Sequence, residues 1–262
     1  MLTGFFRKKA LITSAFFVLL LQSSFAVYAQ TCTSSHTDAH ARVKQVYDGD
    51  TLRLHDGRKL RFIGINTPEL GRNGEPDEPL AQAAKSRLKQ FIPAGARVAL
   101  VYGKQRKDRH GRTLAHVFTM DGLNVSAQLI REGLAFAIVV PPNDGFVECY
   151  FDAEKDASKQ GNGIWAVAYY QSVEVKALPD STRGFKRVQG KITGIGQSKR
   201  NIWLDMGKNF SLKLSRKNLH YFADNPVEQM INRTISVRGW VGHYNGKLRM
   251  SFNHPAMMES LQ

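Results

Sequence analysis

Two runs of alternating apolar and polar residues, 43–54 and 59–65, stand either side of the turn His55-Asp56-Gly57. Successive side chains of a strand point to opposite faces, so this alternation describes half-buried strands joined by a hairpin. Pro68 ends the second run, and residues 72–79 form a polar loop rich in Gly, Pro and acid. Leu80, Ala84, Leu88 and Phe91 then fall on one face of a helix over 80–91. Further strands are expected at 98–102 and 113–119, with a charged turn at 104–111 between them. Helices over 124–132 and 147–160 stop at Gly133 and Gly161, glycine being the residue that best accepts the left-handed conformation at a helix end. Strands and helices do not alternate regularly, which argues against a doubly wound parallel sheet. The expected class is mainly β with α (α+β): a five-stranded mixed barrel with helices inserted and appended.

A second β unit is expected further on. Residues 171–184 contain Pro179, Asp180, Ser181 and Thr182 without a period and read as a linker. Strands follow at 186–193, 202–206, 210–214, 234–242 and 247–252, with a short helix over 226–231 before the fourth. That is the order of an oligonucleotide-binding (OB) barrel. The chain divides on this reading into 1–29, a leader; 30–40, an N-terminal segment; 41–170, the first domain; 171–184, the linker; and 185–262, the second domain.

The leader is read from Arg7, Lys8 and Lys9 ahead of the apolar run 10–21, with small residues at the two cleavage-defining positions of Val27-Tyr28-Ala29 and a second candidate site at Ser24-Phe25-Ala26. The run is short for a membrane span and suits a secretory signal cut after Ala29, so a periplasmic or secreted protein without stable membrane insertion is expected. Removing it lowers the formal charge from +15 to +12. The remaining charge is uneven: residues 185–262 hold 13 basic and 4 acidic side chains. A basic excess in one segment suggests a polyanion, nucleic acid or an anionic membrane surface. Only Cys32 and Cys149 are present. Two cysteines exclude a CxxC-based zinc cluster and a disulfide-dense scaffold; in an oxidising compartment they form one bridge or remain two thiols.

Chemistry concentrates in the first domain. Asp48-Gly49-Asp50 places two carboxylates around a tight turn, and Asn66-Thr67-Pro68-Glu69 supplies an amide, a hydroxyl and a carboxylate. Arg61 and Arg112 lie on or beside strands. Two acidic clusters with two arginines fit phosphodiester hydrolysis, in which a cation offsets phosphate charge, arginines hold the pentacovalent state and a carboxylate orients water.

VYDGDTLRL, LRFIGINTPE, DRHGRTLAHVF, LNVSAQLIREGLA and GIW occur in that order, and together they resemble the staphylococcal nuclease family over about residues 41–168. The resemblance implies a five-stranded OB-type barrel with three helices. It also implies a calcium site made by the Asp50 carboxylate, the residue at position 66 and the Thr67 carbonyl. Glu69 becomes the general base, and Arg61 and Arg112 the phosphate clamp. Arg109 and His110 match the family's nucleotide-binding loop. The implied substrates are DNA and RNA, cut to leave 3′-phosphate ends; no protein partner is inferred.

Two departures from the family pattern matter. Asn66 stands where an aspartate is usual, which removes a charge from the metal site and admits Mg2+ or another divalent cation. It also admits a second reading, a catalytically impaired nucleic-acid-binding module. A third, a membrane-surface adaptor, accounts for the leader and the charge but not for the five motifs. Residues 136–142, FAIVVPP, stand where the family often carries tyrosines, so base stacking is weaker or comes from elsewhere. In the second domain Lys199, Arg200, Lys213, Arg216 and Lys217 are candidate nucleic-acid contacts. Among its aromatics, Trp203, Phe210, Tyr221, Phe222, Trp240, Tyr244 and Phe252, at least half are expected in the core.

Overall fold

The structure, a computed structural model, describes Met1 and residues 32–261. Apart from Met1, the leader read over 1–29 lies outside the described residues. In chain order the first unit comprises β1 (Ala39–Val46), β2 (Thr51–Leu54), β3 (Lys59–Phe62), β4 (Ile65–Asn66), α1 (Ala81–Phe91), β5 (Arg97–Lys107), β6 (Thr113–Thr119), α2 (Val125–Arg131), β7 (Phe136–Ala137) and α3 (Val147–Lys159). Strands β1, β2, β3, β6 and β5 close a barrel in that order. Only the β3–β6 pair is parallel.

The expected class is therefore observed, with the turn expected at Asp48-Gly49-Asp50 in place and one local expectation, the turn at 104–111, corrected. The run 43–54 divides at Asp48-Gly49-Asp50, where the Asp48 carboxylate accepts the Asp50 N–H at 3.1 Å, an aspartate-capped turn. A side chain on Gly49 would lie 2.8 Å from Thr67 and Ala84, so the turn also needs glycine for close packing. The expected turn at 104–111 begins later, because β5 runs on to Lys107 and pairs again there with Thr113 after a register shift. Local polarity suggests a turn; an available partner strand makes it a strand.

The helices follow the sequence closely. Asn124 caps α2 by accepting the Ala127 N–H at 3.1 Å, and Gly133 and Gly161 hold φ of 67° and 66°. Cys32 and Cys149 form a disulfide with Cα atoms 5.7 Å apart, fastening the start of the described chain to α3.

The second unit comprises β8 (Val173–Glu174), β9 (Gly184–Lys191), β10 (Gly194–Gln197), β11 (Asn201–Asp205), β12 (Phe210–Ser215), β13 (Thr234–Tyr244), β14 (Lys247–Ser251) and β15 (Met258–Leu261). Its sheet has the order β10-β11-β12-β14-β13-β9-β8, with β15 also on β13. Strand β8 lies inside the segment read as a linker and pairs with β9 at Val173↔Val188. The helix expected over 226–231 is a 3-10 turn, Val227–Met230.

Both units contribute to one core. Phe136, Ile138, Val139, Ile164 and Tyr170 pack with Val188, Leu204, Leu212 and Val237. Arg238 of β13 reaches Glu154 of α3 at 2.6 Å, and the Val139 N–H faces Met257 Sδ at 3.2 Å. Of the seven aromatics singled out in the second unit, Phe210, Phe222 and Phe252 are buried, while Trp203 and Tyr221 are half-buried and Trp240 and Tyr244 exposed. Fewer than half are core residues, because one sheet face is not fully covered. No helix among the described residues is long and apolar enough to cross a membrane.

Candidate active site

Asp50 immediately precedes β2, and the pairing Thr51↔Arg61 brings Arg61 of β3 beside it. The parallel pairing Arg61↔Leu114 carries Arg112, just before β6, to the same end of the barrel. Strand β4 follows a turn at Gly64 and places Asn66 and Thr67 against Asp50. The loop beyond is pinned at Glu69, whose N–H donates to the Glu78 carboxylate at 2.9 Å and whose carbonyl accepts the Glu78 N–H at 2.9 Å. Residues drawn from positions 50 to 112 thus converge through four short strands and one loop.

Asp50 is the buried hub. Its Oδ2 accepts the Thr67 N–H at 3.0 Å and the Thr67 hydroxyl at 3.1 Å, and pairs with Arg61 Nη2 at 2.9 Å. The same Nη2 lies 3.4 Å from the Asn66 amide oxygen, while Arg61 Nη1 donates to the Phe62 carbonyl at 2.8 Å. Arg112 is held differently. Asp108 accepts its Nε at 2.6 Å and its backbone N–H at 2.9 Å.

Glu69 is exposed at the cleft, yet its carboxyl lies among protein atoms with Asp50 and Asp48 near. Desolvation first, then those two negative charges, push its pKa up to about 7, against the opposing pull of Arg61 and Arg72. Asp48 is raised to about 6 by burial and by Asp50. Of the two, Glu69 lines the cleft, and a carboxyl raised toward neutrality there is suited to moving a proton at physiological pH.

One cleft of ≈ 460 Å³ is lined by Arg61, Asn66, Glu69 and Arg112, together with Arg109 and His110. That volume lies within the usual ~300–1,000 Å³ of small-molecule sites. The structure thus brings together the three residues read as catalytic, the Asn66 amide and the two loop residues. Asp50 and Thr67 stand directly behind them. Lys199, Arg200, Arg216 and Lys217 gather instead at one end of the second sheet, where the Arg216 N–H donates to the Arg200 carbonyl at 2.9 Å. Lys213 lies on that sheet's outer side with Nζ 5.6 Å from the Trp203 ring. None of these five lines the cleft.

The donor set suits a hard divalent cation. It offers carboxylates at Asp50, Asp48 and Glu69, the Asn66 amide oxygen and the Thr67 carbonyl, all oxygen ligands. Burial first, and then the neighbouring carboxylates, raise Asp48 and Glu69, and the second of these causes is one that a cation would offset. Among the described residues no three His, Cys, Asp or Glu side chains already converge on one point.

Two residues near the site escape a reading of the sequence as site positions. Asp108 looks like one charge among many in a basic loop. Trp240 lines the cleft from β13 of the second unit, and no local motif near it signals that.

The family model for Staphylococcal nuclease homologue matches residues 59–167. The thermonuclease of Staphylococcus intermedius is 39% identical over 126 residues, which is 47% of this chain and 74% of that protein. The thermonuclease of Staphylococcus hyicus is 33% identical over 161 residues, 60% of this chain and 94% of that protein. Endonuclease YncB of Bacillus subtilis (strain 168) is 32% identical over 128 residues, 47% of this chain and 60% of that protein. A closed barrel carrying the five motifs in order, and relatives covered over most of their length, place the chain in the staphylococcal nuclease family.

Proposed function

We propose that this protein is an exported nuclease that hydrolyses phosphodiester bonds of DNA and RNA with the help of a divalent cation. The observation that carries it is the shared cleft: the Glu69 carboxyl faces the same space as Arg61 and Arg112. Glu69 accepts a proton from the attacking water. The two guanidiniums bind the non-bridging oxygens of the scissile phosphate, and Arg112 stabilises the charge that grows on the departing 5′-oxygen. Cleavage on that side leaves a 3′-phosphate. Asp50, Asn66 and Thr67 would hold the cation, with Ca2+ first and Mg2+ second. When bound, the cation supplies charge compensation to the phosphate and lowers the pKa of nearby water.

The Cys32–Cys149 disulfide supports export, since such bridges persist in oxidising compartments. The basic end of the second sheet supports a role in holding the polyanion. Charge removal at Lys199, Arg200, Arg216 and Lys217 in the full chain should flatten the salt dependence of binding by about 0.7–0.9 for each phosphate no longer neutralised.

The test is cleavage of single- and double-stranded DNA and of RNA, with calcium, magnesium or chelator, beside Glu69→Gln. Metal-dependent cutting that falls by ~10²–10⁴ in Glu69→Gln is the expected result. Cutting that survives chelation would overturn the metal requirement. Binding without cutting under every cation would establish the impaired module that Asn66 suggests.

A further inference from the structure

We propose that Trp240, contributed by the second sheet, is the base-stacking platform of the active-site cleft, binding a nucleobase next to the scissile phosphate. The proposal rests on the nuclease reading of the cleft and adds a residue from outside the nuclease barrel.

Residues 136–142 contribute no aromatic ring to the cleft. They present Ile138 and Val140 to it, both aliphatic. Trp240 lines the same space and is 43% exposed. It is also held in place. Phe185 of β9 meets it edge to face with centroids 5.2 Å apart, and Phe185 packs in turn on Phe136 at 5.2 Å. An indole fixed at one side and open on another loses little freedom when a base stacks on it.

The register explains why Trp240 reaches the cleft. Side chains two apart on a strand share a face, so Arg238, Trp240 and Gly242 of β13 project the same way. Arg238 is buried in the contact with α3, its guanidinium 5.0 Å from the Phe151 ring. Trp240 follows where that contact ends and the face emerges. Gly242 comes next, bare enough that an added side chain would meet nothing within 4 Å. It pairs with Arg249 of β14, which stacks between Trp203 at 4.0 Å and Tyr244 at 4.3 Å. A basic and aromatic surface therefore continues outward from Trp240, as a groove for a single strand requires. The occupant is a nucleic-acid strand with its bases unstacked: its phosphate meets Arg61 and Arg112, and its base meets Trp240.

The test compares the full-length wild type, Trp240→Phe and Trp240→Ala on single-stranded oligonucleotides. Each carries one abasic nucleotide, stepped along the strand from the cut. Alanine should raise KM by about tenfold or more and leave kcat unchanged, while phenylalanine retains most of the affinity. At one abasic position wild type should suffer the same loss and Trp240→Ala no further loss. An unchanged KM in Trp240→Ala would overturn the proposal. So would a penalty that is equal at every abasic position, which marks structural damage, as would a matching fall in melting temperature with Phe failing to rescue. If wild type cuts nothing, the nuclease reading fails on its own. The same series read by fluorescence anisotropy then still decides whether Trp240 stacks a base.

Discussion

Arg238 and Glu154 form a two-pronged ion pair across the junction of the two units, with both side chains under a tenth exposed. Burial opposes the charge on Arg238, and Glu154 outweighs it, so the guanidinium stays protonated. Glu154 also accepts the Ala137 N–H at 2.7 Å, tying β7 into the same junction. Replacing Arg238 by Met strands a buried carboxylate and should cost about 3–5 kcal/mol in denaturant unfolding. Arg238→Met combined with Glu154→Gln should recover most of that loss, because the glutamine oxygen still accepts from Ala137. Equal loss in the single and double variants would show that packing, not charge, holds the junction. For the same reason, deleting residues 185–262 tests folding as much as binding.

Asn66 is the one neutral side chain in the oxygen-rich set around Asp50 that faces the cleft. Asn66→Asp adds a carboxylate 3.4 Å from Arg61 Nη2 and should lower the cation concentration for half-maximal cutting about tenfold, or ~1.4 kcal/mol. Cation titrations of the two proteins, read by initial rate, check it. Identical curves would place position 66 outside the metal site.

Asp108 holds Arg112 by its side chain and its backbone, and also accepts the His110 N–H at 2.8 Å. Asp108→Asn keeps the size and loses the charge-assisted bond that aims the guanidinium. Cleavage should fall by about 10–100-fold, chiefly in kcat, since small misplacements of a clamp are costly at the transition state. Steady-state kinetics with an unchanged melting temperature would confirm a positioning role.

His116 is a buried neutral histidine, bonded through Nδ1 to the Tyr150 hydroxyl at 2.9 Å. Burial lowers its pKa from 6.5 to about 3. The unfolded chain therefore takes up this proton first, so stability is fully present above pH 6.5 and declines as the pH falls toward 3. The loss across that window is of order a few kcal/mol. His116→Gln should remove this slope from the pH dependence of unfolding while leaving the acid transitions of the carboxyls.

The Cys32–Cys149 bridge closes a loop of sequence separation 117. Reduction, or Cys32→Ser with Cys149→Ser, should lower stability by ~2–5 kcal/mol. Unfolding in the presence and absence of reductant measures it. A shift below that range would show that Asn124, which donates to the Cys32 carbonyl at 3.0 Å, secures the N-terminal segment unaided.

Much of the first unit was legible because its signals are local. Helix α2 is announced by Asn124 and stopped by Gly133, and the barrel strands by alternation between turn residues. The second sheet was legible in its central strands and less so at its margins. Val173–Glu174 has no alternation of its own and becomes a strand only because β9 offers an edge. Three of the seven aromatics singled out from the sequence proved to be core where at least half were expected, since alternation shows that a strand has two faces but not which face finds cover.

Contiguous residues were enough to determine the turns at Asp48-Gly49-Asp50 and His55-Asp56-Gly57, the ends of α2 and α3 and the spacing of Asp50, Arg61, Glu69 and Arg112, because backbone preference acts over a few residues. The turn expected over 104–111 was not among them, since a partner strand extends β5 to Lys107. The tertiary structure decided which distant groups meet: Arg238 with Glu154 across 84 residues, Cys32 with Cys149, and Trp240 with the cleft. Those contacts carry no local preference. They depend on how two sheets bury a common apolar core, and that free energy is summed over the whole molecule rather than written at any one position.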